Sequence, residues 1–324
     1  MIQDVSIEII QKCWNRCLHC SSCSSEVCTT MLQTDTVKRV VAGLKKMKVE
    51  RICLSGGEPL LHPDIIEIVR NISSNNIIVD VYTCGIIGTK EKPASLSIEI
   101  LSQLRSAGMR ALIFNMQSAN ETTYDLITQS HGHFPLLCES ISNTINCGIQ
   151  AEIHFVPMKC NLNDAEEVIR YAETTGVTQV NFLKLVPHGR AHDNREKIVP
   201  NETEIMNLCN RVSALNTDST TIRLGLPLTP IDVSPPCHAV KNKLYIRFDG
   251  SVYGCEAFKY ISFLDDCNHQ ITPDSILDHD IEAIYHESKY LEQSLILVNR
   301  LENSLFGCEN CPVQKYLKGQ GIGK

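Results

Sequence analysis

The sequence predicts an α/β protein, a partial (β/α)6 barrel followed by a small α+β unit, and three observations carry that reading. Short apolar runs alternate with helical patterns over the first two thirds of the chain, the alternation stops after Arg190, and a hairpin signal then takes the place of further βα repeats. At 324 residues the chain is longer than one ordinary core organises, which suggests two domains, drawn here as 1–220 and 221–324.

The expected strands, in order, are VSIEII (5–10), RICLS (51–55), IIVDVYT (77–83), RALIFNM (110–116), AEIHFVP (151–157) and QVNFLKLV (179–186). Between the first two, Val37, Val40, Val41, Leu44 and Met47 recur at the spacing that gathers apolar side chains on one helix face. Similar faces fall near 63–74, 95–107, 134–147 and 164–175. Six units cannot close an eight-fold barrel, but they can form an open one with its chemistry at the carboxyl ends of the strands. Beyond Arg190 come a helix near 202–215, the Pro-rich LPLTPIDVSPPC (226–237) and two short strands around Asp249 and Gly250.

Composition narrows the function classes. The net charge of −7 leaves no electrostatic footprint for nucleic acid. No stretch reaches the roughly 18 apolar residues of a membrane span, and the start lacks the basic and apolar regions of a signal peptide. The chain therefore reads as cytoplasmic. Sixteen cysteines in a reducing compartment argue for metal or cluster ligation rather than a disulfide framework.

Cys13, Cys17 and Cys20 stand in a CxxxCxxC spacing just after the first strand, where a parallel barrel keeps its active site. On spacing alone a structural zinc is the alternative, with His19, Cys23 or Cys28 as fourth ligand. A second signature, LSGGEPLLHP, places Gly56, Gly57, Glu58 and Pro59 after the second strand. Adjacent glycines permit close backbone approach, and a carboxylate suits an ammonium. Together these motifs resemble the radical S-adenosylmethionine (radical SAM) superfamily, whose core is a partial TIM-like barrel.

The resemblance implies that Cys13, Cys17 and Cys20 hold a [4Fe-4S] cluster whose fourth iron chelates SAM, and that the GGEP loop receives the methionine amino group. It implies reductive cleavage of SAM to a 5′-deoxyadenosyl radical that takes a hydrogen atom from substrate. Further similarities lie in YTCGI (82–86), in the run 114–134 and in LVPHGRA (185–191), so the resemblance covers roughly residues 5–195. Asn115 and Gln117, at the end of the fourth strand, are candidates for the ribose of SAM; the alternative is loop polars bonded to backbone.

Cys237, Cys255, Cys308 and Cys311 occur as C-x17-C, a gap, then C-x2-C, with Gly250 five residues before Cys255. The pattern resembles the shortened SPASM extension called Twitch and implies an auxiliary [4Fe-4S] cluster with closed coordination. Zinc is again the alternative. Of the remaining cysteines, Cys53, Cys138 and Cys147 read as buried small hydrophobes, and Cys84 and Cys160 as cavity-facing. Cys267 reads as a substitute auxiliary ligand, Cys209 is unassigned, and Cys23 and Cys28 are surplus to the SAM cluster. The final KGQGIGK resembles no phosphate-binding loop and reads as a mobile tail.

The favoured reaction is oxidative modification, such as a crosslink, of a ribosomally made peptide, with an electron donor such as flavodoxin or ferredoxin. Glu256, next to Cys255, is the candidate base; an epimerase would instead place a hydrogen-donating thiol there. The chain starts almost at the first strand, which argues against an amino-terminal peptide-recognition domain and keeps small-molecule dehydrogenation or cyclisation open. A non-catalytic iron-sulfur or zinc scaffold is the reading from another class.

Overall fold

The computed structural model describes residues 1–229, 236–302 and 311–319. All six expected strands form: β1 (Asp4–Ile10), β2 (Arg51–Gly56), β3 (Ile78–Thr83), β4 (Ala111–Asn115), β5 (Gln150–Phe155) and β6 (Gln179–Phe182). They lie side by side in chain order, all parallel. The intervening helices are α1 (Thr34–Lys46), α2 (Ile65–Ser74), α3 (Ile98–Ser106), α4 (Glu121–Thr128), α5 (His133–Asn146) and α6 (Ala165–Thr175). Four match the expected faces after α1; α4 is additional, and at eight residues it is too short for its periodicity to register.

The sheet does not stop at the sixth strand. After α7 (Glu202–Ser213), β7 (Thr221–Leu224) pairs parallel with β6. At the other edge β8 (Lys243–Ile246) pairs parallel with β1 and turns back antiparallel into β9 (Val252–Tyr253). The order is β9-β8-β1-β2-β3-β4-β5-β6-β7, an open sheet of nine strands. The hairpin expected at Asp249 and Gly250 is the β8–β9 turn, with Gly250 at φ +89°. Residues beyond 220 thus contribute to both edges, and β8 is the point at which the carboxyl-terminal part joins the barrel.

Alternation along each strand gives the sheet two faces. Val5, Ile7, Ile9, Ile52, Leu54, Val79, Val81, Leu112, Phe114, Ile153, Phe155, Val180 and Phe182 are buried in one large core. Burial of each such side chain contributes roughly 1.5–3 kcal/mol. That core includes Val37, Val40, Val41 and Leu44 of α1 and Ile65, Ile68, Val69 and Ile72 of α2. The residues between them, on the inner face, are largely polar. In register across it run Ser6, Cys53 and Asp80 at one level, and Asn115, His154, Asn181 and Arg223 at another. The helix α8 (Ile281–Glu287) reaches α1, where Ile281 fills the space beside Gly43. Next, α9 (Lys289–Glu302) packs on α10 (Pro312–Gly319). Among the described residues no helix is long and apolar enough to cross a membrane. Residues 230–235 of the Pro-rich segment, Cys308 and the last five residues lie outside the described residues.

Candidate active site at the carboxyl ends of the strands

The loop after β1 carries the first three cysteines and is held on several sides. The Cys13 N–H donates to Ser25 O at 3.2 Å, Arg16 N–H to Thr128 O at 2.9 Å and Leu18 N–H to Ile127 O at 2.8 Å. The carboxyl end of α4, which sequence periodicity missed, is thus one wall of this loop. Cys13 is buried, and Cys17 and Cys20 are half-buried. Burial, followed by Cys13 and Cys20, pushes the Cys17 thiol well above its ordinary pKa, so the three sulfurs are electrostatic neighbours. Burial also raises Cys20, against Arg190. Such a pocket penalises bare thiolates, and a bound cationic iron core would let them ionise. This donor set fits the cluster that the sequence implies.

The GGEP loop lies directly against it. Gly57 N–H donates to Ile10 O at 2.6 Å and Glu58 N–H to Lys12 O at 2.8 Å. A Cβ at Gly56 would collide with Ile10 O, and one at Gly57 with the carbonyls of Gln11 and Lys12. The close approach these glycines permit here is to the cysteine loop itself. Pro59 opens a 3-10 turn, Pro59–Leu61. Glu58 is fully buried, and its carboxyl group accepts from Leu60 N–H at 3.1 Å, Thr83 Oγ1 at 2.8 Å and Cys84 N–H at 2.6 Å. Burial raises its pKa against those donors. Where the sequence suggested a carboxylate turned to an ammonium, the structure shows this side chain tying the ends of β2 and β3 together.

Gln117 is likewise bracketed: its amide donates to Asn115 Oδ1 at 2.5 Å and His154 O at 3.1 Å, and its carbonyl accepts from Val156 N–H at 2.7 Å. Asn115 stays half-buried beside His19, whose pKa burial and Arg190 lower to about 4. Cys84 is buried, and the neighbouring Cys13 thiol and burial raise its pKa well above the ordinary thiol value.

Sequence reasoning noted LVPHGRA without assigning its residues, and the structure makes it a clamp. Arg190 donates from Nε to Cys17 O at 2.8 Å and from its terminal nitrogen to Ser24 O at 2.8 Å. Its N–H donates to Cys20 O at 3.0 Å. Gly189, at φ +55°, leaves a Cβ position only 2.7 Å from Ser21 O and 2.9 Å from Cys20 O. The Gly-Arg pair in a loop was the available signal.

The auxiliary cysteines also converge. Burial, then Glu256 and Cys311, raise the Cys255 thiol well above its usual range, while burial, then Cys311, pushes Cys237 up to about 11. Cys237, Cys255 and Cys311 are therefore neighbours whose donor set fits a thiolate-bound cluster. Cys308 lies outside the described residues. Cys267 groups with Asp265 and His269 instead. Glu256 forms an ion pair with Lys243 Nζ at 2.9 and 3.0 Å. Burial raises its pKa, but Lys243 outweighs burial and holds it below the usual carboxylate range. Its charge also acts on Tyr82 and His154 of the inner face.

A second pair was not foreseen. Lys259 Nζ, buried, donates to Glu8 Oε1 at 2.9 Å and Ser22 Oγ at 2.7 Å, and sits 4.7 Å over the Tyr245 ring. It joins the turn after Cys255 to β1 and to the residues that follow Cys20.

Known proteins agree with this geometry. The Radical SAM superfamily profile matches residues 7–182. The chain is 28% identical over 201 residues to the AdoMet-dependent heme synthase of Methanosarcina barkeri, covering 62% of this chain and 55% of that protein. To the mycofactocin maturase MftC of Mycolicibacterium smegmatis it is 24% identical, covering 60% and 47%. A probable GTP 3′,8-cyclase of Methanococcus maripaludis is 26% identical, covering 65% and 68%. The chain thus spans about half to two thirds of the length of these curated relatives. Among solved structures, Streptococcus suis SuiB, bound to S-adenosylmethionine, superposes with a TM-score of 0.73 at 13% identity, covering 92% of this chain and 68% of that one. SuiB bound to its precursor peptide SuiA gives 0.72, covering 90% and 66%. This fold likeness extends past the profile match into the carboxyl-terminal part. With more than half of its length matched and its cysteine loop, GGEP loop and open barrel in place, the chain belongs to the radical SAM superfamily of iron-sulfur enzymes.

Proposed function

We propose that this enzyme cleaves SAM reductively and oxidatively modifies a ribosomally made peptide, forming a crosslink or a related bond. The observation that carries the reading is the position of the Glu256–Lys243 pair. It adjoins the auxiliary cysteine Cys255 on one side, and on the other its charge acts on Tyr82 and His154 of the barrel interior. Cys13, Cys17 and Cys20 hold the SAM-binding cluster, and Cys237, Cys255, Cys308 and Cys311 the auxiliary one. When bound, these groups supply a 5′-deoxyadenosyl radical at one end of the site and an electron acceptor at the other.

The chain's own residues do the rest. Gly56, Gly57, Glu58 and Pro59 shape the rim that receives the methionine end of SAM, and Asn115 and Gln117 the rim near its ribose. Lys243 keeps Glu256 ionised, so that its carboxylate takes the proton a substrate releases on oxidation. The proposed boundary at 220 divides a core, 1–220, from an auxiliary part, 221–324, whose strands β7 and β8 extend the core sheet at its two edges. The fold shared with SuiB, which has been solved with a precursor peptide bound, supports a peptide substrate. The relatives named as GTP cyclases favour a second reading, cyclisation or dehydrogenation of a small molecule. A flavodoxin or ferredoxin is the proposed electron donor.

The test is anaerobic turnover of the reconstituted protein with reductant and SAM. It should contain about eight irons per chain and release 5′-deoxyadenosine and methionine. Cys17→Ala should keep about four irons and release neither product. An intact cluster that yields no 5′-deoxyadenosine would overturn the radical mechanism. A short peptide encoded beside this gene should lose two hydrogen atoms by mass spectrometry; an unchanged peptide would favour the small-molecule reading.

A further inference from the structure

In the carboxyl-terminal part a second hairpin pairs Phe263 with Ile271 and Leu264 with Gln270. Its tip, residues 265–269, reads Asp-Asp-Cys-Asn-His. The tip is closed by Asp265 N–H donating to His269 O at 2.9 Å and by Asn268 N–H donating to Asp265 O at 3.0 Å, with Asn268 at φ +61°. Asp265 Oδ1 accepts from the N–H groups of Cys267 and His269, both at 2.8 Å. Those two bonds fix the carboxylate and leave Oδ2 facing His269 Nδ1 at 3.3 Å. A ligand atom from each of Asp265, Cys267 and His269 lies within 4.8 Å of the other two, and all three residues are exposed.

We propose that this hairpin tip is a Zn2+-binding site with Asp265, Cys267 and His269 as its three protein ligands. Two oxygen or nitrogen ligands bonded at about 2.0–2.1 Å to a tetrahedral zinc lie about 3.3 Å apart. Asp265 Oδ2 and His269 Nδ1 are already at that separation. A thiolate bonded at about 2.3 Å sits roughly 3.6 Å from its neighbours, which rotation of the exposed Cys267 side chain supplies. The set of one oxygen, one nitrogen and one sulfur suits a borderline-soft ion, and solvent fills the fourth position. The two N–H bonds to Oδ1 are the outer contacts that hold a ligating carboxylate in place. Capping of a tight turn accounts for Asp265 alone. It does not require a thiol two residues on and an imidazole four residues on, both gathered at the same carboxylate.

The test uses the holoprotein with both cysteine sets loaded with iron, so that only residues outside those sets compete for added metal. Zn2+ alone is titrated while alkylation of Cys267 by iodoacetamide is followed by mass spectrometry. One Zn2+ per chain should slow labelling of Cys267 about tenfold or more, with iron content unchanged. His269→Ala leaves the backbone bonds of the turn in place and should abolish that protection. Asp265→Asn, which still accepts both N–H bonds, should weaken zinc binding about tenfold or more. Equal labelling of Cys267 with and without Zn2+ in the wild-type holoprotein, or full protection retained in His269→Ala, would overturn the proposal.

Discussion

Two lysine–glutamate pairs anchor the turn after Cys255, and they are built differently. Lys259 and Glu8 keep 2% and 4% of their side chains exposed, sealed by Ser21, Ser22 and the ring of Tyr245. Lys243 and Glu256 keep 32% and 33%. The sealed pair holds the turn after Cys255 against β1. The open pair, beside the auxiliary cysteines, keeps a carboxylate that outside molecules can reach. Ion pairs of similar length thus differ in burial, and the more exposed one carries the carboxylate proposed as the base.

The sharpest way to break this comparison is to remove one partner from each pair. Lys259→Met leaves Glu8 charged among buried groups, with Oε2 already lacking a hydrogen-bond partner. The expected loss is about 3–5 kcal/mol in denaturant unfolding of the holoprotein. Changing both residues, Glu8→Leu with Lys259→Met, should restore most of that loss, because the penalty comes from the stranded charge. A double variant as unstable as the single one would show that Lys259 acts through packing alone.

A smaller effect is expected where the sealed region meets the cysteine loop. Gly189→Ala sets a Cβ 2.7 Å from Ser21 O on a backbone at φ +55°. The strain should cost about 1–3 kcal/mol and displace the Cys20 carbonyl that Arg190 N–H holds. Iron counting should show partial loss of the SAM-binding cluster with the auxiliary one retained. Full occupancy of both would mean that the loop yields without disturbing its thiols.

These contacts explain what could be read in advance. The six strands and five of the six helices between them were legible because apolar spacing reports directly on burial, as in Val37, Val40, Val41 and Leu44. The cysteine and GGEP loops were legible because their chemistry is local in sequence. The strand Thr221–Leu224 was not, since an edge strand with exposed and half-buried residues lacks a continuous apolar run. Lys259 and Glu8 are 251 residues apart, and nothing in either segment announces the other. Glu58 shows a subtler limit: the sequence shows a carboxylate after the second strand, but only the fold shows three protein donors around it.

The smallest stability effect should accompany the most specific functional one. Glu256→Gln keeps the shape of the side chain and removes a charge from a pair one-third exposed, so unfolding should shift less than in Lys259→Met. If Glu256 takes the substrate proton, Glu256→Gln should still cleave SAM to 5′-deoxyadenosine yet lose oxidised product, uncoupling the two yields. Lys243→Met should lie between, because the Glu256 carboxylate survives without the ammonium that holds its pKa down. Comparing 5′-deoxyadenosine with product in wild type, Glu256→Gln and Lys243→Met separates the roles. Equal loss of both yields in Glu256→Gln would place the residue in assembly of the site, alongside Lys259, and erase the contrast between the pairs.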